Sequence, residues 1–524
     1  MDQFTDTRGL VRINDLETRE FRIDSGVLQG SILGPVLFLV FINSLLLELQ
    51  NAGVGGVLLG ENIRLNSIGY ADDLALFAED PASLQKLIAI CENWSKKNGL
   101  EFAPAKSKIL VFHSNKCTKK EKRFHFLLNG IALQKVESFE YLGITLESSG
   151  NICGPGRTYQ KHFATQMEKA EKRLGAVRLL GFHRDGLRIK TAIKLYKLLV
   201  RPLLESCAQI LPYSNSQLDE MERFQCKALR TLLGLFPSVK AETVRLLSGV
   251  EPIACRFTTL RLTSLQKDIP KALLAHTVND RKLARCFAIE FKFKATAEWV
   301  NISKHSFSGI IENTLSEFGL SNEFHFRDEQ TRPDFKKKIK GFCRRSFFEK
   351  DVASFCSTQQ GKLFKNVCLP DLVISKPYSG PAINPIIFKN STREHRTTFL
   401  QCLSGSHFAS EVFCSAFKKE RSKTCCPFCS CETRTLNHFI SLCPHFEQQR
   451  IELCSAISES CKPLRIHRNS ILNPAFLFSG KVQHLGSSEL ARSCKRRVVA
   501  DQTLESTANF LHSLRQVFEK FAKS

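Results

Sequence analysis

The sequence predicts an α+β protein, in which a mixed strand and helix region comes before a mainly helical one. Residues 1–150 contain short apolar segments bounded by turn residues, together with two segments of helical spacing. Residues 159–235 are basic and amphipathic, with apolar residues at helical intervals. Cys and His residues concentrate between about 400 and 450. We therefore expect a mixed domain, a helical domain and a small Cys/His-rich domain.

Within the mixed region, residues 8–24 favour a pair of short strands, with core candidates Leu10, Ile13 and Phe21. Gly34-Pro35 opens a helix that runs from about Val36 towards Gln50 and is apolar on most faces, which predicts burial on most sides. Turn and cap residues delimit the remaining elements. These are two strands within 63–78, a helix over Pro81–Asn98, and strand candidates Lys108–His113 and Phe139–Leu146.

Beyond residue 150, changes in composition divide the rest of the chain into four predicted domains. The predicted domains after the mixed region (1–150) are a helical domain (155–270), a basic connector (271–380), a Cys/His region (381–470) and a helical tail (471–524).

The chain carries 75 Lys and Arg against 51 Asp and Glu, a formal net charge of +24. Such an excess favours a polyanionic partner, with nucleic acid the first candidate and an acidic membrane surface the second, although a merely soluble basic protein has the same composition. The polar start of the sequence is unlike a secretory signal, and the longest apolar run, Val36–Ile42, is shorter than the roughly 20 residues of a membrane span. We expect no membrane partner and a location in the nucleus and cytoplasm, where the 20 cysteines serve burial or metal ligation.

Two adjacent carboxylates, Asp72 and Asp73, follow Tyr70-Ala71 at a turn between apolar strand segments. Neighbouring carboxylates repel each other unless a cation neutralises them, and Mg²⁺ binds through one or two carboxylates while leaving positions for phosphates. In a two-metal transfer, such ions activate the attacking oxygen and stabilise the leaving one. Seen alone, the pair is more typical of a solvated turn.

Three further motifs accompany the acidic turn in a fixed order: Gly26–Phe38 before it, and Gly99–Ser107 and Phe139–Ile144 after it. This order resembles the reverse transcriptases of LINE-type (non-LTR, jockey-like) retrotransposons. The resemblance is strong over residues 8–150 and looser over 155–265, and it corresponds to the C-terminal part of such an enzyme. It implies a partial palm followed by a helical thumb.

The resemblance also implies a role for each motif residue. Gln29 and Gly30 would pack against the templating base and the incoming nucleotide, and Tyr70 would line the primer end. Asp72 would be the main Mg²⁺ ligand, with Asp73 a secondary carboxylate. Lys106 would neutralise or protonate departing pyrophosphate, although a plain surface lysine fits equally well and the asparagine usual in the family is replaced by Ala103. Tyr141, Leu142 and Gly143 would form the primer grip.

Family palms also place a catalytic Asp on an earlier strand, which we do not find in the sequence. Asp2 and Asp6 lie too close to the Gln29-Gly30 loop and have no apolar strand before them. A two-metal site needs a carboxylate that bridges both ions. We therefore expect the chain to be truncated before the first catalytic Asp, its two-metal Mg²⁺ site incomplete, and inactive by itself as a polymerase.

Basic residues crowd the predicted thumb, where they would contact the phosphates of a template–primer duplex. A solvated helix face balanced by Glu168 and Glu171 is the alternative. A second basic cluster, Lys336–Arg345, is interleaved with phenylalanines and fits either nuclear localisation or RNA contact. The thumb cations are Lys169, Lys172, Arg173, Arg178, Arg184, Arg188, Lys190, Lys194 and Lys197.

Cys426 and Cys429 are followed by His438 after eight residues and by Cys443 after four more. Three thiolates and one imidazole complete a closed tetrahedral Zn²⁺ site, which is structural because no position stays open for water. The segment resembles the zinc knuckle found C-terminal to many of these enzymes. Cys425, Cys431 and His445 are rival ligands.

The leading hypothesis is an RNA-directed DNA polymerase that uses an RNA template, a DNA primer or target, dNTPs and Mg²⁺. Two alternatives remain open. One is a non-catalytic nucleic-acid-binding remnant, and the other is a protein like a group II intron maturase, which shares the Tyr-Ala-Asp-Asp turn but explains the C-terminal cysteines less well.

Overall fold

The computed structural model of the chain shows two compact units. The first contains the described residues before 150 together with residues 272–274, and the second contains those from 159 to 271 and from 332 onward. The described residues are 8–23, 26, 30–58, 64–112, 124–148, 159–180, 187, 189–209, 211, 213–274, 332–357, 378, 393–404, 426, 428–429, 436–460, 471–472, 477 and 496–523.

The first unit combines two helices with short strand pairs. Helix α1 is Gly34–Asn51 and helix α2 is Pro81–Lys97. All strand pairs among the described residues are antiparallel except β9 with β12, which is parallel. The strands are β1 (Arg8–Gly9), β2 (Arg12–Ile13), β3 (Leu16–Glu17), β4 (Phe21–Arg22), β5 (Val57–Leu58), β6 (Arg64–Leu65), β7 (Ser67–Tyr70), β8 (Asp73–Leu76), β9 (Lys108–Leu110), β10 (Leu127–Leu128), β11 (Ile131–Ala132), β12 (Gln134–Val136), β13 (Ser138–Tyr141) and β14 (Ile144–Glu147).

The two predicted helices of this region are confirmed, but its strands are shorter and more numerous than predicted. Residues 8–22 form four strands instead of two, residues 64–76 contain three instead of two, and the strand predicted over Lys108–His113 ends at Leu110. Phe139–Leu146 is two strands, because Leu142 and Gly143 both adopt positive φ (49° and 79°) and reverse the chain. Asp80 caps α2 by accepting a hydrogen bond from the Ser83 amide at 2.8 Å, as the Asp-Pro punctuation predicts.

Two predictions of burial are wrong. Leu10, Ile13 and Phe21 are exposed, because β1–β4 and β2–β3 form narrow ribbons of two-residue strands that bury little. Helix α1 is not buried on most sides either. Its first turns expose Val36, Leu37, Leu39 and Val40, and among its described residues only Gly34, Leu45 and Leu49 are buried.

The core of the first unit lies between α1, α2 and β8. Leu45 and Leu49 of α1 pack with Leu87, Cys91 and Trp94 of α2, and partly buried leucines of β8 complete the cluster. The indole Nε1 of Trp94 donates a hydrogen bond to Ser44 Oγ at 2.9 Å. This packing fixes the start of β8, where the acidic turn ends.

Helix α1 as a whole is longer and more evenly apolar than its uninterrupted apolar run, Val36–Ile42, indicates. It is 18 residues long with a mean hydropathy of 1.4, so by length and composition it could cross a membrane. Core helices of soluble proteins and N-terminal signal sequences pass the same test. In this fold its C-terminal half packs against α2 and β7.

The second unit is helical. Its first helices are α3 (Gln160–Leu179), α4 (Ile189–Leu195), which continues as a π-helix over Tyr196–Val200, α5 (Arg201–Glu205), α6 (Asn215–Leu233), α7 (Ala241–Ser248) and α8 (Ile253–Leu274). Later helices are α9 (Arg332–Ser357), α10 (Arg393–Ser404), α11 (Glu447–Ser460) and α12 (Arg496–Lys523). Helix α6 begins with a capping box formed by Ser214 and Gln217 and ends at Gly234, which has a left-handed conformation.

Helix α9 packs against α7, although its residues lie within the predicted connector. Buried charges hold the two helices together. Arg245 of α7 donates from Nε to Asp351 of α9 at 2.8 Å, and Tyr378 donates from its hydroxyl to the same carboxylate at 2.6 Å. Glu222 of α6 accepts a hydrogen bond from the other side of Arg245 at 2.8 Å. The pairing raises the pKa of Arg245 against the effect of its burial, so the guanidinium stays charged.

The Arg245–Asp351 pair supports a stability prediction. Asp351→Ala leaves a buried guanidinium without its main partner, and we expect a loss of about 3 kcal/mol in the free energy of unfolding. The exposed pair Lys172–Glu168 provides the control, because solvent screens an exposed ion pair and Glu168→Ala is expected to leave the free energy of unfolding almost unchanged. Urea unfolding followed by far-UV circular dichroism measures both. Equal losses in the two variants would contradict the prediction.

Candidate catalytic turn and metal centre

The acidic turn lies at the tip of the β7–β8 hairpin. Tyr70 pairs with Asp73, so Ala71 and Asp72 form a two-residue turn. Ala71 has a φ of 50°, a left-handed conformation that costs an L-residue roughly 1–2 kcal/mol. Asp72, Asp73 and Tyr70 are all exposed, with 64% of Tyr70 accessible to solvent. Strain in a non-glycine residue is typical of functional turns, and here it presents two carboxylates to solvent.

The β7–β8 hairpin packs on two helices and borders a cavity. Strand β7 packs on α1, and β8 packs on α2. A cavity of about 380 Å³ lies between α1 and the hairpin, lined by Val40, Asn43 and Leu46 on the helix and by Gly69 and Ala71 on the hairpin, among others. Space for a ligand therefore lies directly beside the acidic turn.

The second hairpin, β13–β14, brings Tyr141 within electrostatic range of Asp73. Burial, and after it the negative charge of Asp73, raise the pKa of the Tyr141 phenol above its ordinary value. The hydroxyl is buried and has no hydrogen-bond partner among the described residues. Leu142 and Gly143 form the exposed tip of this hairpin. Tyr141 is predicted to belong to the primer grip, but its proximity to Asp73 is not predictable, because a linear motif does not report which strands meet.

Lys106 and Gly30, two further predicted polymerase residues, lie on turns separate from the acidic turn. Lys106 is exposed on a turn in which Ala103 O accepts from the Lys106 amide at 3.2 Å. The following strand, β9, contacts β13, so Lys106 precedes a strand that lies beside the Tyr141 hairpin. Gly30 is exposed with a φ of 86°, a conformation that favours glycine. Gln29 lies outside the described residues.

The donor set of the acidic turn fits Mg²⁺ in part. Two exposed carboxylates provide the oxygen ligands that the ion prefers and leave positions for water or phosphate. A pair of ions about 3.5–4 Å apart needs a further carboxylate between them. Asp72 and Asp73 therefore fit one ion more readily than two.

The four predicted Cys/His ligands come together in the second unit. The ligand atoms of Cys426, Cys429, His438 and Cys443 all lie within 4.8 Å of one another. The Sγ atoms of Cys426 and Cys443 are 3.7 Å apart, and Cys429 Sγ is 3.3 Å from His438 Nε2. Tetrahedral Zn²⁺ with Zn–S of about 2.3 Å and Zn–N of about 2.0 Å separates its ligands by roughly 3.5–3.8 Å. The donor set and its spacing fit zinc.

Local structure explains how these ligands meet. His438 begins a π-helix (His438–Leu442), and Cys443 lies directly after it. Buried phenylalanines support both, with Phe439 and Phe446 fully buried. Among the rival ligands, His445 stacks on Phe428 with ring centroids 4.6 Å apart and lies outside the cluster. Cys425 and Cys431 lie outside the described residues.

The basic residues of the predicted thumb lie on exposed helix faces. On α3, the buried face contains Phe163, Ala170, Leu174 and Val177, so the cations face solvent. Lys172 pairs with Glu168 at 2.6 Å, which lowers the pKa of that carboxyl. Lys190 and Lys194 are exposed on α4, whereas Lys197 is half-buried and donates to Gly249 O at 3.1 Å. The exposed cations of α3 are Lys169, Lys172, Arg173 and Arg178, while Arg184 and Arg188 lie outside the described residues.

Comparison with known proteins places this geometry in a family context. Residues 3–146 match the family of reverse transcriptases (RNA-dependent DNA polymerases). The RNA-directed DNA polymerase from mobile element jockey of Drosophila funebris is 26% identical over 221 residues, which is 40% of this chain and 22% of that protein. The Retrovirus-related Pol polyprotein from type-2 retrotransposable element R2DM of Drosophila melanogaster is 30% identical over 147 residues, or 26% of this chain and 13% of that protein.

The match ends close to the boundary of the first unit and includes the acidic turn, both hairpins and Lys106. The chain spans about a fifth of the length of the jockey polymerases it resembles. The resemblance that the order of motifs predicts is confirmed: residues 3–146 are similar to the reverse transcriptases of LINE-type (non-LTR) retrotransposons.

Proposed function

We propose that the chain is part of an RNA-directed DNA polymerase of a non-LTR retrotransposon, and that the first unit supplies part of its palm. The observation that carries the proposal is the exposed Asp72-Asp73 pair on a strained hairpin turn, inside the segment that matches reverse transcriptases. The proposed partners are an RNA template, a DNA primer or target, and dNTPs. Mg²⁺ is the proposed cofactor.

Each residue near the turn has a defined task under this proposal. Asp72 and Asp73 hold Mg²⁺, which when bound supplies positive charge to the reacting phosphate oxygens. Tyr70, exposed at the end of β7, contacts the primer terminus. Tyr141 is within electrostatic range of Asp73, its hydroxyl has no hydrogen-bond partner among the described residues, and its proposed task is to orient that carboxylate. Lys106 neutralises pyrophosphate.

Catalysis with two ions requires a carboxylate beyond those of the turn. Because Asp72 and Asp73 fit one ion more readily than two, we expect the polypeptide of 524 residues to be inactive when tested by itself.

Metal binding at the acidic turn can be tested without activity. Titration with Mn²⁺, followed by electron paramagnetic resonance, is expected to show a site that Asp72→Asn with Asp73→Asn removes. The control is Glu79→Gln with Glu101→Gln, which removes two exposed carboxylates of the same unit. Equal loss of Mn²⁺ in both double variants would contradict the proposed site.

Primer extension on an RNA template is expected to fail. Extension that Asp72→Ala abolishes would refute the need for a further carboxylate.

For the C-terminal region, we propose a structural zinc knuckle held by Cys426, Cys429, His438 and Cys443. The supporting observation is the spacing of their ligand atoms, which fits a closed tetrahedral site. Its proposed task is to clamp a small fold between the π-helix and α11, since Cys443 ends the former and Pro444–Phe446 lead into the latter.

The zinc proposal predicts about one Zn²⁺ per chain in purified protein. Cys429→Ser with Cys443→Ser is expected to remove the metal and to lower the melting temperature, because metal binding stabilises only the folded state. Cys454→Ser is the control, since this buried thiol of α11 lies outside the cluster. Elemental analysis together with thermal unfolding gives both readouts. A zinc content unchanged by the double substitution would exclude this ligand set.

A non-catalytic nucleic-acid-binding protein is the second candidate function. It is favoured by the exposed cations of α3 and α4 and by the Cys/His cluster, all of which lie in the second unit and do not depend on the acidic turn.

A further inference from the structure

Three cations from two separate parts of the second unit meet at the turn between α7 and α8. Lys197, from the π-helix after α4, donates to Gly249 O at 3.1 Å. Arg344 of α9 donates to Glu251 Oε2 at 2.9 Å, and Arg201 donates to Glu251 Oε1 at 3.3 Å. The turn over residues 249–251 therefore joins the basic face of α4 to that of α9.

Positive charge exceeds negative charge at this junction. Glu251 is 2% exposed, and Arg344, Arg201 and Lys197 together hold its pKa low against the effect of burial. Glu251 is thus faced by three cations, of which Arg201 also pairs with Glu205 at 2.8 Å. Burial lowers the pKa of Lys197, and the neighbouring charges of Arg201, Arg344 and Lys340 lower it further, whereas Glu251 raises it. The cations of α4 and α9 are therefore close enough to repel each other.

The charge continues outward along both helices. Lys190, Lys194 and Lys197 follow each other at intervals of four and three residues, which places them on one helical face, and Lys190 and Lys194 are exposed. Lys337, Lys340 and Arg344 have the corresponding spacing on α9, and Lys337 and Lys340 are exposed. The segments 189–200 and 335–348 contain no Asp or Glu. We call these six residues the α4–α9 surface.

We propose that the α4–α9 surface is one composite site for the phosphate backbone of a nucleic acid. From Lys190 to Lys197 the helix rises about 10 Å, a length of duplex that carries roughly six phosphate charges. A surface of separated point charges recognises such a polyanion without reading its sequence. The site deepens the proposed function by extending the thumb-like surface onto α9, and it rests on that function only for the identity of the nucleic acid.

An acidic membrane surface fits these helices less well. A helix that lies on a membrane presents an apolar face to the lipid. Here the apolar faces of α4 and α9 are turned inward, since Ile189, Ile193, Ile339 and Cys343 are buried in the unit. Leu198 and Phe342 are exposed, but single exposed apolar side chains are ordinary in soluble proteins.

The test uses the full chain and two double variants that remove exposed cations from each arm of the surface: Lys190→Gln with Lys194→Gln, and Lys337→Gln with Lys340→Gln. The control is Lys240→Gln with Lys350→Gln, which removes the same charge. Lys240 precedes α7 at the end away from Gly249, and Lys350 lies ten residues, about 15 Å, along α9 from Lys340.

Far-UV circular dichroism checks that each variant is folded. Fluorescence anisotropy with a random-sequence RNA–DNA hybrid gives affinity as a function of salt.

Each arm variant is expected to weaken binding about tenfold or more at 0.1 M salt and to reduce the slope of log affinity against log salt by about two. The control is expected to change affinity less than twofold. An unchanged affinity in either arm variant would overturn the composite site, as would an equal loss in the control. Loss of binding to phosphatidylserine vesicles with unchanged hybrid binding would also overturn it, in favour of a membrane. If the Mn²⁺ site at Asp72 and Asp73 is absent while the arm variants still weaken hybrid binding, the polymerase proposal fails and the composite site does not, so the two failures are distinguishable.

Discussion

The packing of α1 and α2 around Trp94 is the constraint on which the catalytic proposal depends. Trp94 is nearly inaccessible to solvent, and its indole is fixed to Ser44 of α1 by a hydrogen bond of 2.9 Å. Leu74 and Leu76 of β8 pack against the same cluster. Because β8 begins with Asp73, a rigid core one residue away holds the acidic turn in a strained conformation that an isolated hairpin of four-residue strands would relax.

In the second unit, several arginines form internal ion pairs, whereas most of the described lysines are exposed. Arginines pair with buried acids: Arg245 with Asp351, and Arg201 and Arg344 with Glu251. The planar guanidinium makes several hydrogen bonds in a fixed geometry, which offsets part of the cost of burial. Lysines remain mostly at the surface, where their charge is available to a partner. Among the described cations of the unit, the paired arginines therefore shape the fold, and the exposed lysines, together with exposed arginines such as Arg173 and Arg178, contribute its external field.

Sequence patterns predicted the parts of the fold that depend on local interactions. The bounds of α2 follow from Asp80-Pro81 and Asn98-Gly99, and the ligand spacing of the Cys/His cluster predicted which four side chains meet. Long-range contacts were not predictable. Nothing in the motif around Tyr141 indicates that it lies beside Asp73, and the basic cluster of α9 gives no sign that Arg344 pairs with Glu251, 93 residues earlier. The exposure of α1 was also missed, because an apolar helix looks the same in sequence whether or not another element covers it.

The two proposed activities, nucleotidyl transfer and nucleic-acid binding, depend on different interactions. A substitution can therefore change one without changing the other. Transfer depends on carboxylate geometry within about 4 Å of a metal pair, so a single missing ligand removes it. Backbone binding depends on summed charge, so each lysine contributes a modest and roughly additive share. The proposed nucleic-acid binding by the exposed lysines of the second unit therefore does not depend on whether the acidic turn holds its metal.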